Sequence, residues 1–172
     1  MVDKKFIIRE AKKEDASQLI ELIKTIANES KFLTFAEGEF NTTVEEEEDI
    51  IEMSLQDHTS LFLVAEISGK IVGNLYFSSG TRSKTIHFGK FGVSVKKAYW
   101  RLGIAKKMMF FLIDWAKTNK ITRKINLEVH EENINAIHLY EKLGFVVEGK
   151  ISRYFCEKHT FHSAIIMGLE ID

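Results

Sequence analysis

The stretch "GVSVKKAYWRLGIAKKMM" (residues 92–109) decides the reading of the chain, because one glycine in it separates an extended segment from an amphipathic run. The chain has no proline and ten glycines. A glycine at 103, where a charged stretch turns helical, points to close approach of another group to the backbone at the mouth of a helix. The free amides of Leu102, Gly103, Ile104, Ala105 and Lys106 would point out of that N-terminus, and such clusters bind phosphate. Ala105 keeps the next turn small, and Arg101, Lys106 and Lys107 add positive charge beside it. On spacing alone a glycine before an amphipathic helix is more often simply a turn, and both readings stand at this point.

Working outward, "KFIIREAK" reads as a short strand, and Asp15 to Asn28 carries Leu19, Ile20, Leu22, Ile23 and Ile26 at helical spacing. Thr43 to His58 reads as a second helix, with Thr43 as N-cap and acidic residues in the first turns, where the helix dipole favours them. "SLFLVAEISGKIVGNLYFSS" is two apolar strands joined at Ser68-Gly69, and "KTIHFGKFGVSV" follows as a third. In the helix opening at Gly103, Ile104, Met108, Phe111, Leu112 and Trp115 share one face, opposite Lys106, Lys107, Asp114 and Lys117. "KINLEV" is a strand, "NINAIHLYEKL" a helix closed by Gly144, and "FVVEGKI" and "SAIIMGLEI" are the last strands. The order is strand, two helices, three strands, helix, strand, helix, two strands. It predicts an α/β (α+β) arrangement in which helices cover one mostly antiparallel mixed sheet.

Composition narrows the classes. With 172 residues, 45% hydrophobic and 11% aromatic, and with no repeat, linker or low-complexity segment, the chain fits a single domain over 1–172. Its 24 basic and 25 acidic residues leave a net charge of -1, which gives no reason to expect a nucleic-acid or membrane-surface partner. The N-terminal "MVDKKFIIRE" is too polar for a signal peptide, and no run approaches the ~18 apolar residues of a membrane span. Cys156, the single cysteine, cannot form an internal disulfide, so a cytoplasmic location is expected.

A second stretch, "LEVHEENINAIHLYEKLGF" (residues 127–145), places Asn133 at a strand-to-helix junction, with Ala136 and Tyr140 three and seven residues on along the same helical face. Ile137, Leu139 and Leu143 serve the core face, which leaves the Asn133–Tyr140 face to meet a ligand. An N-cap asparagine and a half-buried tyrosine are the plain alternative.

Together, these two stretches, separated by residues 110–126, resemble the GNAT superfamily of acetyl-coenzyme A-dependent N-acetyltransferases. The element order fits that family over nearly the whole chain. The resemblance implies a sheet of about seven strands flanked by about four helices, splayed between its fourth and fifth strands. It implies that acetyl-CoA lies in the gap, with its pyrophosphate on the loop before the third helix, and that no metal is needed. The family's phosphate loop puts its small residues on Gly103 and Ala105. Its first position, Arg or Gln, falls on Trp100, which lacks that phosphate contact; Arg101, one residue along, is the substitute. The resemblance further implies that Val93 and Val95 offer main-chain groups to the pantetheine, that Asn133 helps hold it, and that Tyr140 lies near the sulfur.

The chemistry asks for an acid and a base. An alkyl ammonium of pKa roughly 10 must lose a proton before it attacks a thioester, and the departing thiolate takes one back. Tyr140 is the candidate acid. The segment beginning "LEV" is similar to the ribosomal-protein N-terminal acetyltransferases, a likeness that makes Glu128 the candidate base, with a pKa raised beside the cofactor. A strand-edge glutamate is the alternative, and His87 acting through water is a further one. Lys90 stands where close relatives often carry glutamate.

His159, His162 and Cys156 lack a fourth ligand at zinc spacing. The acidic run Glu45 to Asp49 reads as a solvated helix face. It borders the expected acceptor site together with "FAEGEF". The expectation is acetyl transfer to a primary amine, whether a polyamine, another small amine or a peptide N-terminus, by direct attack in a ternary complex. A GNAT-fold CoA-binding module without turnover and a nucleotide-phosphate binder are the alternatives. Monomer and homodimer both stay open.

Overall fold

The computed structural model describes residues 5–172, so the reading of the N-terminus falls partly outside the described residues. In chain order the elements are β1 (Ile7–Glu10), α1 (Ala16–Glu29), α2 (Val44–Gln56), β2 (Ser60–Ile67), β3 (Lys70–Ser79), β4 (Phe88–Val95), α3 (Ile104–Asn119), β5 (Lys124–His130), α4 (Ile134–Lys142), β6 (Val146–Glu157) and β7 (Thr160–Glu170). The seven strands form one sheet in the order β1-β2-β3-β4-β5-β7-β6. Every neighbouring pair is antiparallel except β4 and β5, which run parallel across the α3 crossover. The order of elements is that expected from the sequence.

Local chemistry sets most boundaries. Thr43 closes a capping box on α2: its hydroxyl accepts from Glu46 N at 3.2 Å, and Glu46 Oε2 accepts from Thr43 N at 2.9 Å. Ser68 and Gly69, with φ of 50° and 77°, make the tight β2–β3 turn.

A core lies on each side of the sheet. Leu19, Leu22 and Ile26 of α1 and Ile51 of α2 pack against Phe62, Val64 and Ile71. On the opposite face Ile104, Met108, Met109 and Leu112 of α3 cover Leu63, Leu75, Phe77, Ile125 and Leu127. Phe111, expected in that core, is 37% exposed, while Met109 and Ala116 take the buried side of α3. Glu47 also departs from expectation. It is buried rather than solvated, because α2 lies flat on α1 and β2, and burial pushes its carboxyl above the usual range.

The last hairpin is longer than its apolar pattern suggested. Its turn is Lys158-His159, two residues at φ 47° and 68° that carry no glycine or asparagine signal. Between Ile151 and Phe155 the register breaks, with Arg153 at φ 53°. Among the described residues no helix is long and apolar enough to cross a membrane.

Candidate active site

The parallel pair β4–β5 holds together only from Phe88–Lys124 to Lys90–Asn126. Beyond that the strands part. Gly80 N donates to Phe88 O at one end of the β3–β4 ladder and Lys96 N to Val72 O at the other, so the even-numbered residues of β4 bond to β3. Val93 and Val95 therefore turn their main-chain groups toward β5. On β5, Ile171 N donates to Arg123 O and Glu131 N to Ser163 O, which sets the odd-numbered residues against β7 and turns the main chain of Glu128 and His130 toward β4. The two strands thus face each other with polar groups that have no ladder partner, across a cleft of about 410 Å3. Such groups require a hydrogen-bonding occupant or water, and the amide-rich arm of a coenzyme A fits that need.

The cleft passes through the sheet, and residue parity assigns its two sides. Phe91, Val93 and Val95 pack into the core beneath α3 and α4. Lys90, Gly92 and Ser94 pair with Ser78, Tyr76 and Asn74 and face the α1–α2 side. A Cβ placed on Gly92 would meet nothing within 4 Å, so the α1–α2 side is open at that point.

At the end of β4 the chain makes a one-turn 3-10 helix, Lys97–Tyr99, and then enters α3 through two left-handed residues, Arg101 (φ 65°) and Gly103 (φ 80°). Gly103 is the N-cap, and the first internal bond of the helix runs from Lys107 N to Gly103 O. The amides of Ile104, Ala105 and Lys106 precede that bond and point out of the helix. Arg101, Leu102, Gly103 and Lys106 are exposed around them, and a Cβ on Gly103 would meet nothing within 4 Å. This is an open, positively polarised cradle of the kind that takes phosphate. Trp100 has a structural task in it: its Nε1 donates to Val95 O at 2.7 Å, tying the loop to the strand end. Of the main-chain groups predicted to meet a ligand, the Val95 carbonyl is therefore already engaged.

On β5's other flank, Asn133 caps α4, its Oδ1 accepting from Ala136 N at 3.4 Å, and it lines the cleft as well. Ala136 is half-buried against the core. Tyr140 departs from the sequence expectation. It does not sit on a free face but is the buried residue of α4, with ring contacts to Phe91 at 5.9 Å and Phe145 at 5.8 Å, while Leu139 is only partly covered. Because α4 is short and rolls its Tyr140 side onto the sheet, the ring becomes part of the cleft wall. Its hydroxyl finds no hydrogen-bond partner among the described residues, and burial pushes its pKa up to about 12.

Glu128 faces the other side. Lys90 Nζ donates to its Oε1 at 2.5 Å, and Tyr154 Oη donates to its Oε2 at 2.6 Å. Burial pushes the Glu128 carboxyl up, but the bonds from Lys90 and Tyr154 outweigh it, so the carboxyl lies below the ordinary glutamate value. The raised pKa expected from desolvation beside a cofactor is not found, because Lys90 answers the charge. Lys90 lines the cleft as the partner of Glu128.

Sequence reasoning missed Tyr154, which the register break in β6 carries toward Glu128. It also missed His130, which is 4% exposed, touches Phe32, Phe155 and His162, and through its own Nδ1 accepts from Glu132 N. Burial, then the neighbouring His162, push His130 below its ordinary value, so it is neutral near pH 7. His87 does not join the site: it is exposed at the closed end of β4–β5, where its carbonyl accepts from Arg123 N and Lys124 N. Phe35 and Phe40 of "FAEGEF" do join it, with ring centroids 5.8 Å apart above the α1–α2 side.

Comparison with known proteins agrees with this geometry. The chain is 30% identical over 105 residues to an L-amino acid N-acetyltransferase of Escherichia coli, covering 61% of this chain and 65% of that protein. It spans a little under two thirds of the curated relatives it matches first. A crystal structure of an acetyltransferase of the GNAT family from Streptococcus pneumoniae superposes with a TM-score of 0.95 at 30% identity, covering 97% of this chain and all of that one. A Salmonella typhimurium structure described as a putative acetyltransferase with its cofactor acetyl-CoA shares the fold, with a TM-score of 0.86 at 19% identity over 98% of this chain and 95% of that one. The model of the Acetyltransferase (GNAT) family matches residues 9–145, and the chain belongs to that family.

Proposed function

We propose that the protein transfers the acetyl group of acetyl-CoA to the primary amine of a small acceptor, by direct attack in a ternary complex. The observation that carries this reading is the cleft through the sheet, with Tyr140 in its wall on the α3–α4 side and Glu128 on the α1–α2 side. An acid and a base on opposite faces of one slot suit a reaction that removes a proton at one end and returns one at the other.

The residues fit the cofactor. The amides of Gly103, Ile104, Ala105 and Lys106, with Leu102 and Arg101 beside them, would hold its diphosphate, and Val93, Val95 and Asn133 its pantetheine arm, with Ala136 and Tyr140 against the arm's end. Acetyl-CoA supplies an acyl thioester open to attack by a neutral amine, with a sulfur that takes up one proton. Glu128 draws the acceptor's ammonium in and receives its proton, directly or through water, and the Tyr140 hydroxyl donates toward the leaving sulfur. With a pKa of about 12, Tyr140 keeps its proton across the neutral range, as a donor must.

The test is release of free thiol when amines are added to protein and acetyl-CoA. Release that depends on the amine supports the reading. Binding of acetyl-CoA without release, across amino acids, polyamines and peptides, overturns it in favour of a CoA-binding module. Thermal stabilisation by ATP equal to that by CoA would point instead to a nucleotide-phosphate binder.

A further inference from the structure

The cleft lining holds two fully charged side chains, one of each sign, Lys90 and Glu128, and they are paired with each other. Any acceptor that presents an ammonium to Glu128 must displace or crowd the Lys90 ammonium. Two cations would then share one carboxylate in a partly buried site, an unfavourable arrangement unless a second anion arrives with the acceptor. Lys90 can move to meet one. Its side chain is 56% exposed against 22% for Glu128, and its flexible four-carbon stem is anchored only at the strand.

The cleft lining itself supplies no second carboxylate. Among the acidic residues close in sequence to the lining, Glu131 pairs with Lys150 at 2.6 Å, Glu132 pairs with Lys31 at 2.7 Å, and Glu29 and Glu39 accept from Lys97 N and Ala36 N, each at 2.7 Å. A polyamine, with several ammonium groups, finds one carboxylate and a competing lysine. Elsewhere the α1–α2 side is uncharged: Ile23, Ile26, Leu33, Phe35 and Phe40 give it an apolar wall, beside the polar Asn74, Tyr76 and Ser94.

We propose that the acceptor is a zwitterion of the α-amino acid kind with an apolar side chain: its ammonium replaces Lys90 at Glu128, and its carboxylate takes the released Lys90. The ion pair in the free protein is then a stand-in for the two ends of the substrate, and the aromatic loop receives the side chain. This rests on the acetyl-transfer reading above and adds the acceptor class and the role of Lys90.

The experiment compares phenylalanine with its methyl ester and with phenethylamine, by thiol release and by calorimetric titration of each into protein saturated with CoA. Phenylalanine is expected to exceed both in kcat/KM by about tenfold or more, the value of a charge-assisted hydrogen bond, and to bind measurably where they do not. Lys90→Met should remove that preference through KM, bringing the three within about threefold of one another. Lys90→Arg should keep part of it. Equal kcat/KM for all three on the native protein, a preference for spermidine over all of them, or a preference that survives Lys90→Met overturns the zwitterion proposal and leaves acetyl transfer standing. Absence of thiol release with every amine, despite acetyl-CoA binding, overturns acetyl transfer itself, and the titrations then still report whether the zwitterion binds.

Discussion

Tyr140→Phe separates proton donation from packing. The ring stays wedged against Phe91 and Phe145, and the hydroxyl it loses has no hydrogen-bond partner among the described residues. Stability should therefore remain within about 0.5 kcal/mol of the native protein. The catalytic loss follows from the pKa. With Tyr140 at about 12 and a thiol near 8.5, complete proton transfer to a thiolate would run uphill by about 5 kcal/mol. In the proposed mechanism Tyr140 therefore acts mainly as a hydrogen-bond donor to the charge building on sulfur, a contribution of about 1.5–3 kcal/mol. That converts to a fall in kcat of about 10- to 150-fold. Thiol release at saturating acceptor gives kcat, calorimetry gives acetyl-CoA affinity, and a melt controls for folding. An unchanged kcat, or a loss confined to acetyl-CoA affinity, would refute the donor role; a fall beyond about 10³-fold would exceed a hydrogen bond and mark proton transfer from Tyr140 in the transition state.

Three further substitutions address the base and the phosphate cradle. Because Lys90 and Tyr154 hold Glu128 below the ordinary glutamate value, kcat/KM should stay flat down to that lowered pKa and fall only as Glu128 takes up a proton. Lys90→Met leaves burial opposed by Tyr154 alone, so the acidic limb of the pH profile should move to higher pH. Glu128→Gln should abolish that limb; a limb that stays in place assigns it to another group. At Gly103 the left-handed φ of 80° penalises any side chain, and open space around a Cβ leaves conformation as the sole cost. Gly103→Ala should lose about 1–2 kcal/mol of stability and weaken acetyl-CoA binding, read by denaturant titration and calorimetry; unchanged stability would mean that the loop relaxes to another turn.

Elements governed by near neighbours were legible in the sequence. The Thr43 capping box, the Ser68-Gly69 turn and the Gly103 and Asn133 helix starts each depend on residues within four positions, so pattern and cap chemistry suffice. Where the pattern erred, the cause was packing across distance. Phe111 and Glu47 exchanged their expected environments because the tilt of a helix on its sheet, not the composition of the helix, decides which edge is covered. The β6–β7 turn was missed because Lys158 and His159 carry none of the residues that favour positive φ.

The sequence by itself determined the order of strands and helices, the amide cradle at Gly103 and the presence of Tyr140 and Glu128 on elements that border a cleft. The tertiary structure decided the surroundings of those groups: Tyr140 is buried against Phe91 and Phe145, and Glu128 is a carboxylate already answered by Lys90, 38 residues away, and by Tyr154, 26 residues away. Spacing along a chain governs hydrogen bonds within a turn or a helix. The state of a charge depends on what the fold brings within a few ångströms of it, and that is set by strand pairing between distant segments.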